Sequence, residues 1–340
     1  MITTRHFSIQ QLAQAAELLR SGHLVAFPTE TVFGLGANAL DATAVDKIFV
    51  AKGRPSDNPL IVHLASRDDL VRIVRSVSAP AQELMDRFWP GPLTLVFPKS
   101  SIIPGSVTAG LDTVAVRVPA HPIAAELIRL SGVPIAAPSA NRSGRPSATT
   151  WQAVTEDLEG RIDGIIHGEP NQLGLESTVV DVSTSRITLL RPGGVSLEAL
   201  QTVVPDIQIY SAELNLDKSN SALPVALRHA PNGTNVAVNS PGLRHRHYQP
   251  KARIILVTNK NVEQWIHDEP AFFIGISEPE NAPKLIRIFV CRSIDEYASR
   301  LFDFFRQADQ CDARIVYCES VPENGIGAAL MDRLRRASKS

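Results

Sequence analysis

Apolar positions along this chain follow two periods. In "IQQLAQAAELLRSG" they recur every three or four residues, behind Ser8 and ahead of Gly22, which predicts a capped amphipathic helix with a glycine stop. "HLVAFPT" then reads as a buried strand. Asp41 stands where it can cap a helix over "ATAVDKIFVAKG", which Gly53, Arg54 and Pro55 end. "LIVHL", "LTLVFP" and "VAVRVP" read as strands, with two short helices between the first two. "HPIAAELIRLSG" predicts a helix, "VPIAAPSAN" enters as a strand and leaves as a loop, and a helix follows around Trp151. "IDGIIHG", "STVVDVS" and "RITLLRPGG" are three strands in close succession. The mixture predicts an α/β fold built on a large twisted mixed sheet with flanking helices.

The pattern changes after about Val204. Residues 211–250 carry Ser, Asn, Pro, His and Arg with little sustained apolar period, a stretch too long for an ordinary loop, and they predict a linker or a functional lid. Beyond it strands and helices alternate: "RIILV", helix "NVEQWIHD", "AFFIGIS", "LIRIFV", helix "IDEYASRLFDFFRQA", "ARIVYCE" and helix "GIGAALMDRLRRA". This predicts a smaller Rossmann-like parallel-sheet domain. No G-x-G-x-x-G follows its first strand, so nothing supports dinucleotide binding. The expected division is 1–205, a linker or lid at 206–251, and 252–340.

Composition narrows the classes. The chain has 340 residues, 44% of them hydrophobic, enough for two buried cores. No apolar run approaches the ~20 residues of a membrane span, and "MITTRHFSIQ" lacks the apolar centre of a signal peptide, so a soluble cytoplasmic protein is expected. The formal net charge of -1 supplies no global field for nucleic acid, so any anion site must be local. Cys291, Cys311 and Cys318 form no C-x-x-C pair, which argues for reduced structural thiols against a zinc cluster.

Local anion chemistry is present. "KGRPSDNPL" sets Lys52 and Arg54 two residues apart and follows them with two prolines and Asn58. Two readings compete: cations at a helix C-terminus with prolines as punctuation, or a stiff cradle in which Lys supplies a point charge and Arg a planar fork. "APSANRSGRPSA" surrounds Arg142 and Arg145 with Ser139, Asn141, Ser143 and Ser147, and Ser147 reads as the N-cap of the next helix. "FPTETVFGLG" offers Thr29, Glu30 and Thr31 beside Gly34 and Gly36, a turn or a site of close backbone approach. Thr113 and Arg117 flank "VAV", where a charge needs either a carboxylate of the fold or a ligand. Ser177 opens a strand, Arg191 precedes Pro-Gly-Gly, and His63 within "LIVHL" reads by itself as a core histidine. No Walker motif is present.

Taken together, "FPTETVFGLG", "KGRPSDNPLIVH", "WPGPLTLVF", "VRVPAHP", "APSANRSGRPS" and "ESTVVD" closely resemble the YrdC-like threonylcarbamoyl-adenylate synthases, and "SPGLRHRHYQP" resembles the linker of the two-domain members. The resemblance, and not composition or periodicity, supplies a function. It implies condensation of L-threonine, bicarbonate and ATP to threonylcarbamoyl-AMP with release of pyrophosphate, ahead of a transferase that modifies a tRNA adenosine. It implies Lys52, Arg54, Ser139 and Asn141 as the catalytic set. It implies Arg54, Asn58, Thr113, Ser139, Ser147 and Arg191 at ATP, and Thr31, His63, Arg117 and Ser177 at L-threonine. Ala137 stands where some members carry a polar side chain. The family uses Mg2+ with ATP; no carboxylate cluster looks like a dedicated cage, so no protein metal ligand is expected and the ion rides on the phosphates. Arg244, His247 and Tyr248 are expected in a lid, with the second domain chiefly anchoring its far end. Direct tRNA binding is left open. The alternative is an RNA-binding module of the same fold without synthase activity, which scarce stacking aromatics and the lack of positive charge weaken.

Overall fold

The computed structural model describes residues 2–210, 248–258, 269–279 and 285–339. The expected helix "NVEQWIHD", Arg244 and His247 lie outside the described residues.

The first domain is built on a mixed sheet of eleven strands among the described residues. From one edge to the other they are Arg5–Phe7, Gly164–Ile166, Val25–Phe27, Gly34–Asn38, Ile135–Ala136, Ile61–His63, Thr113–Arg117, Leu93–Pro98, Thr178–Asp181, Thr188–Arg191 and Gln208–Ile209. The middle of this sheet positions the site. Ile61–His63 runs parallel to Thr113–Arg117, in a register that sets Val62 beside Val116 and His63 beside Arg117. Alternation then sends the two valines into the larger core and the histidine and arginine to the opposite face. On that opposite face one apolar cluster joins Phe27 and Ile135 to the helices Leu12–Arg20 and Pro122–Ser131, and a smaller one holds Ile61, Ala115 and Val179.

Local signals act as expected in many places. Ser8 and Gln11 form a capping box, and the Asp41 carboxylate accepts from the Thr43 and Ala44 amides at the start of Ala42–Lys52. Gly53 ends that helix at φ 61°, a left-handed conformation that suits glycine. Three features differ. Arg5–Phe7 and Gly34–Asn38 are strands that the pattern does not show: the first buries only Phe7, and the second contains two glycines. A Cβ on Gly36 would sit 2.9 Å from both the Phe27 and Ile135 side chains, so close strand packing excludes a side chain there. Gln208–Ile209 joins the edge of the first sheet, past the expected boundary at 205. Finally, Thr150 and not Ser147 caps the helix Trp151–Leu158, because the Ser147 hydroxyl is bonded elsewhere.

The second domain has the expected parallel sheet, ordered Arg253–Val257, Ile315–Glu319, Ala271–Gly275 and Leu285–Val290. The helices Ile294–Gln310 and Ile326–Ser338 pack on it through Leu301, Phe302, Phe305, Leu330 and Leu334. This core also takes in Val32, Leu175 and Tyr248, so the two domains share apolar contacts.

Candidate active site

A cleft opens on the sheet face that carries His63 and Arg117, between the loops after Lys52, Pro138 and Leu175. Arg117 is buried and reaches three partners: Nε donates to the Gly91 carbonyl at 3.1 Å, Nη1 to Thr31 Oγ1 at 2.9 Å, and Nη2 pairs with Glu30 Oε1 at 2.7 Å. The strand charge therefore finds a carboxylate of the fold. A guanidinium has five N–H donors, so the group still has donors for a ligand carboxylate. Burial pushes the Glu30 carboxyl up, but the Arg117 charge and the Ala120 amide outweigh it and hold Glu30 below its ordinary range. Beside it His63 is buried, with Nδ1 3.2 Å from the Ile61 carbonyl. Burial first and the Arg117 charge second lower His63 to about 3, so the imidazole is neutral at physiological pH.

The hydroxyls form a chain around this corner. Thr31 Oγ1 lies 2.8 Å from Thr29 Oγ1, and Ser177 Oγ lies 2.8 Å from Thr94 Oγ1. Arg191 donates Nε and Nη2 to the Ser177 carbonyl, at 3.2 and 2.9 Å. Ser147 Oγ donates to Glu176 Oε1 at 2.6 Å. Burial lowers Arg191. Burial would raise Glu176, but Arg333 and then Arg191 bring it below its ordinary range.

The cations of "KGRPSDNPL" take different places in the fold. Lys52 is the last helical residue, yet its ammonium leaves the helix end: Nζ donates to the Ser139 and Asn141 carbonyls, both at 2.5 Å. Gly53 and Arg54 amides cover the helix carbonyls instead, bonding back to Phe49 and Val50. Burial, then the neighbouring Arg54 charge, push Lys52 well below its ordinary value. Its side chain thus clasps the other loop and does not line the cleft. Arg54 does line it; Nη2 lies 3.4 and 3.3 Å from the Asn58 and Pro59 carbonyls, and burial lowers it to about 10. In the 139–147 loop Ser139 Oγ donates to Asn141 Oδ1 at 2.5 Å, and Asn141 Nδ2 donates to the Arg142 and Arg145 carbonyls.

Of the expected contact residues the structure brings Thr31, Arg54, His63, Arg117, Ser139, Asn141, Ser147, Ser177, Arg191 and Tyr248 to one cleft. Ala137 lines it too, with no polar side chain to offer. Asn58 and Thr113 are buried away from its wall; Thr113 borders a separate small pocket with Leu60, Val96 and Leu111. Tyr248 adopts φ 67° and stacks on Phe302, ring centroids 5.2 Å apart, so it reaches the cleft from a seat on the second domain. Glu30 and Glu176 lay in quoted motifs without an assigned role. Arg306 and Arg333, which reach Asp157 and Glu176, carried no local signal: their partners are 149 and 157 residues away. Among the described residues no group of three or more His, Cys, Asp or Glu could hold a metal ion.

Known proteins resemble this chain across both domains. A family model described as "Telomere recombination" (Sua5/yciO/yrdC) matches residues 17–193, and one described as "Threonylcarbamoyl-AMP synthase, C-terminal domain" matches 195–339. The chain is 43% identical over 332 residues to a threonylcarbamoyl-AMP synthase of Pyrococcus abyssi, covering 95% of this chain and 93% of that one. It is 41% identical over 339 residues to the same-named protein of Bacillus subtilis, covering 96% and 93%. The crystal structure of P. abyssi Sua5 complexed with L-threonine superposes with a TM-score of 0.86 at 41% identity, over 99% of this chain and 97% of that one.

Proposed function

This chain belongs to the Sua5/YciO/YrdC family and is a threonylcarbamoyl-AMP synthase, and we propose how its cleft divides the work among ATP, bicarbonate and L-threonine. The observation that carries the division is the mixed lining of the cleft. The buried Arg117 stands beside the neutral His63, and Arg54 and Arg191 line the same cleft with small hydroxyls and an amide.

L-threonine sits beside Arg117 and His63. The remaining Arg117 N–H groups take its carboxylate, and the hydroxyls of Thr31 and Ser177 read its amine and side-chain hydroxyl. His63 adds a hydrogen-bonding ring without a second positive charge, which leaves the threonine amine free to lose its proton and attack bicarbonate. That attack forms the carbamate and releases water. One carbamate oxygen then attacks the α-phosphorus of ATP, the bond to the bridging oxygen breaks, and pyrophosphate leaves. Both partners in the second step are anions, so the site must offset their repulsion and hold them in line. Arg54 and Arg191 supply the charge, and Ser139, Asn141 and Ser147 supply donors of little bulk. Lys52 acts one step removed, by holding the carbonyls of Ser139 and Asn141. Asn58 supports Arg54 through its carbonyl, and Thr113 has no direct part in the cleft.

Magnesium fits this site only as a companion of the triphosphate. Glu30 pairs with Arg117, and Glu176 with Ser147 and Arg333, so among the described residues neither cleft carboxylate is left without a cationic partner. When bound, the ion supplies charge neutralisation on the phosphate oxygens. The product is a mixed anhydride, and the reaction that consumes it is transfer of the threonylcarbamoyl group, here assigned to the tRNA-modifying transferase. No helix among the described residues is long and apolar enough to cross a membrane. The test is pyrophosphate release by the purified chain. It should require L-threonine, bicarbonate and magnesium-ATP together; equal turnover without threonine, or with serine or glycine in its place, refutes the reading.

A further inference from the structure

Two arginines of the second domain bond to residues in and beside the wall of this cleft. Arg333, on the helix Ile326–Ser338, is fully buried. Its Nε donates to Glu176 Oε2 at 2.8 Å, and its Nη2 to the Pro192 carbonyl at 3.0 Å. Nη1 meets Asp332 of its own helix at 2.5 Å, and the guanidinium carbon lies 5.5 Å from the Tyr248 ring centre. Glu176 in turn receives the Ser147 hydroxyl on its other oxygen. Arg306, on the helix Ile294–Gln310, is also buried; its Nη2 donates to the Pro146 carbonyl at 2.6 Å and to Asp157 Oδ2 at 2.9 Å. Asp157 accepts from the Arg142 amide at 3.1 Å and pairs with Arg145.

These contacts converge. Arg306 holds the carbonyl before Ser147, and Arg333, through Glu176, holds its hydroxyl. Pro192 follows Arg191 directly, and Glu176 precedes Ser177, so Arg333 bridges the two strand ends that Arg191 joins at the Ser177 carbonyl. The packing is close: a Cβ on Gly193 would lie 2.5 Å from the Glu176 carbonyl oxygen. A simple anchor for the linker would need none of these bonds.

We propose that Arg306 and Arg333 are positioning residues for the 139–147 loop and for the wall formed by Glu176 and Arg191, so that the triphosphate side of the cleft is assembled by the docked second domain. The inference rests on the assignment of ATP to this side. L-threonine meets Arg117, Thr31, His63 and the Ser177 hydroxyl, and these are held by first-domain partners, the Ser177 hydroxyl by Thr94 Oγ1 at 2.8 Å, so the two substrates should respond differently when the arginines are changed.

The experiment uses the full-length chain as wild type, Arg333→Lys, Arg306→Lys and the double variant Arg333→Met with Glu176→Gln. The double variant removes both charges together and leaves a side-chain oxygen for Ser147. Pyrophosphate release is followed with ATP varied at saturating threonine and bicarbonate, then with threonine varied at saturating ATP, each rate normalised to the folded fraction by near-ultraviolet circular dichroism. The expected result is an apparent KM for ATP raised about tenfold or more in each variant, with the KM for threonine within about twofold. Unchanged constants overturn the proposal, and so does an equal rise in both. It is also overturned if all three variants fail to fold, because the arginines then hold the fold and not the site. A wild-type chain without threonine- and bicarbonate-dependent release refutes the function itself; an active wild type with unaffected variants refutes only this inference.

Discussion

Arg117→Met removes one half of a buried ion pair and leaves the other half with no way out. Arg117 and Glu30 lie 2.7 Å apart, their side chains 4% and 9% exposed. Breaking such a pair from one side costs about 3–5 kcal/mol, because the remaining charge stays desolvated. The pH dependence should invert as well. In the wild type the Glu30 carboxyl is held below its ordinary 4.5, so its stabilisation is fully present above that value and is lost as pH falls through the folded pKa. Without the guanidinium the burial remains and the main counterweight is gone, so the carboxyl rises above 4.5 in the folded state. Glu30 then destabilises the variant at neutral pH and is relieved by protonation as pH falls. The deficit of the variant against wild type should therefore narrow from pH 7 to pH 4, by about 1.4 kcal/mol for each pH unit over which Glu30 is protonated in the folded variant and ionised in the folded wild type. Urea unfolding at both pH values measures it. The double variant Glu30→Gln with Arg117→Met should recover much of the deficit at pH 7 while its KM for threonine stays high. A deficit that is the same at both pH values, or a double variant as unstable as the single one, refutes the reasoning.

Arg54→Ala and Lys52→Met should separate two roles that the sequence sets side by side. The first should cut turnover by roughly two orders of magnitude, a loss of ~3 kcal/mol at the transition state, with the melting temperature nearly unchanged; the second strips two buried carbonyls of their donor and should cost about 3 kcal/mol of stability in urea. His63→Asn should flatten the acid limb of stability: with a folded pKa of about 3 against 6.5 unfolded, wild-type His63 makes stability fall as pH drops from 6.5 toward 3, and an Asn variant with the same slope in that window would show that the ring is not buried neutral.

Much of this protein is decided within short windows of its chain. Asp41, the run to Lys52 and Gly53 set a helix and its two ends by contacts no more than five residues apart, and the alternation in "LIVHL" and "VAVRVP" already separates the valines from His63 and Arg117. The motif set resembled one family, and the residues it singled out fall largely on one cleft. What the chain could not show is which partner each polar group takes, because donors and acceptors pair across distances that no local pattern encodes. Ser147 reads as a helix cap until Glu176, 29 residues on, takes its hydroxyl and Thr150 caps the helix in its place. Lys52 reads as a dipole cation or a phosphate ligand until two carbonyls nearly ninety residues away claim its ammonium. The short strand Arg5–Phe7 exists only because Gly164–Ile166 pairs with it. The second domain reads as an anchor, and nothing local announces that its Arg306 and Arg333 bond to Pro146, Glu176 and Pro192 of the first. Burial is the common cause: once desolvated, each charge or hydroxyl must be satisfied by whatever the tertiary fold brings within reach, and only the folded chain decides what that is.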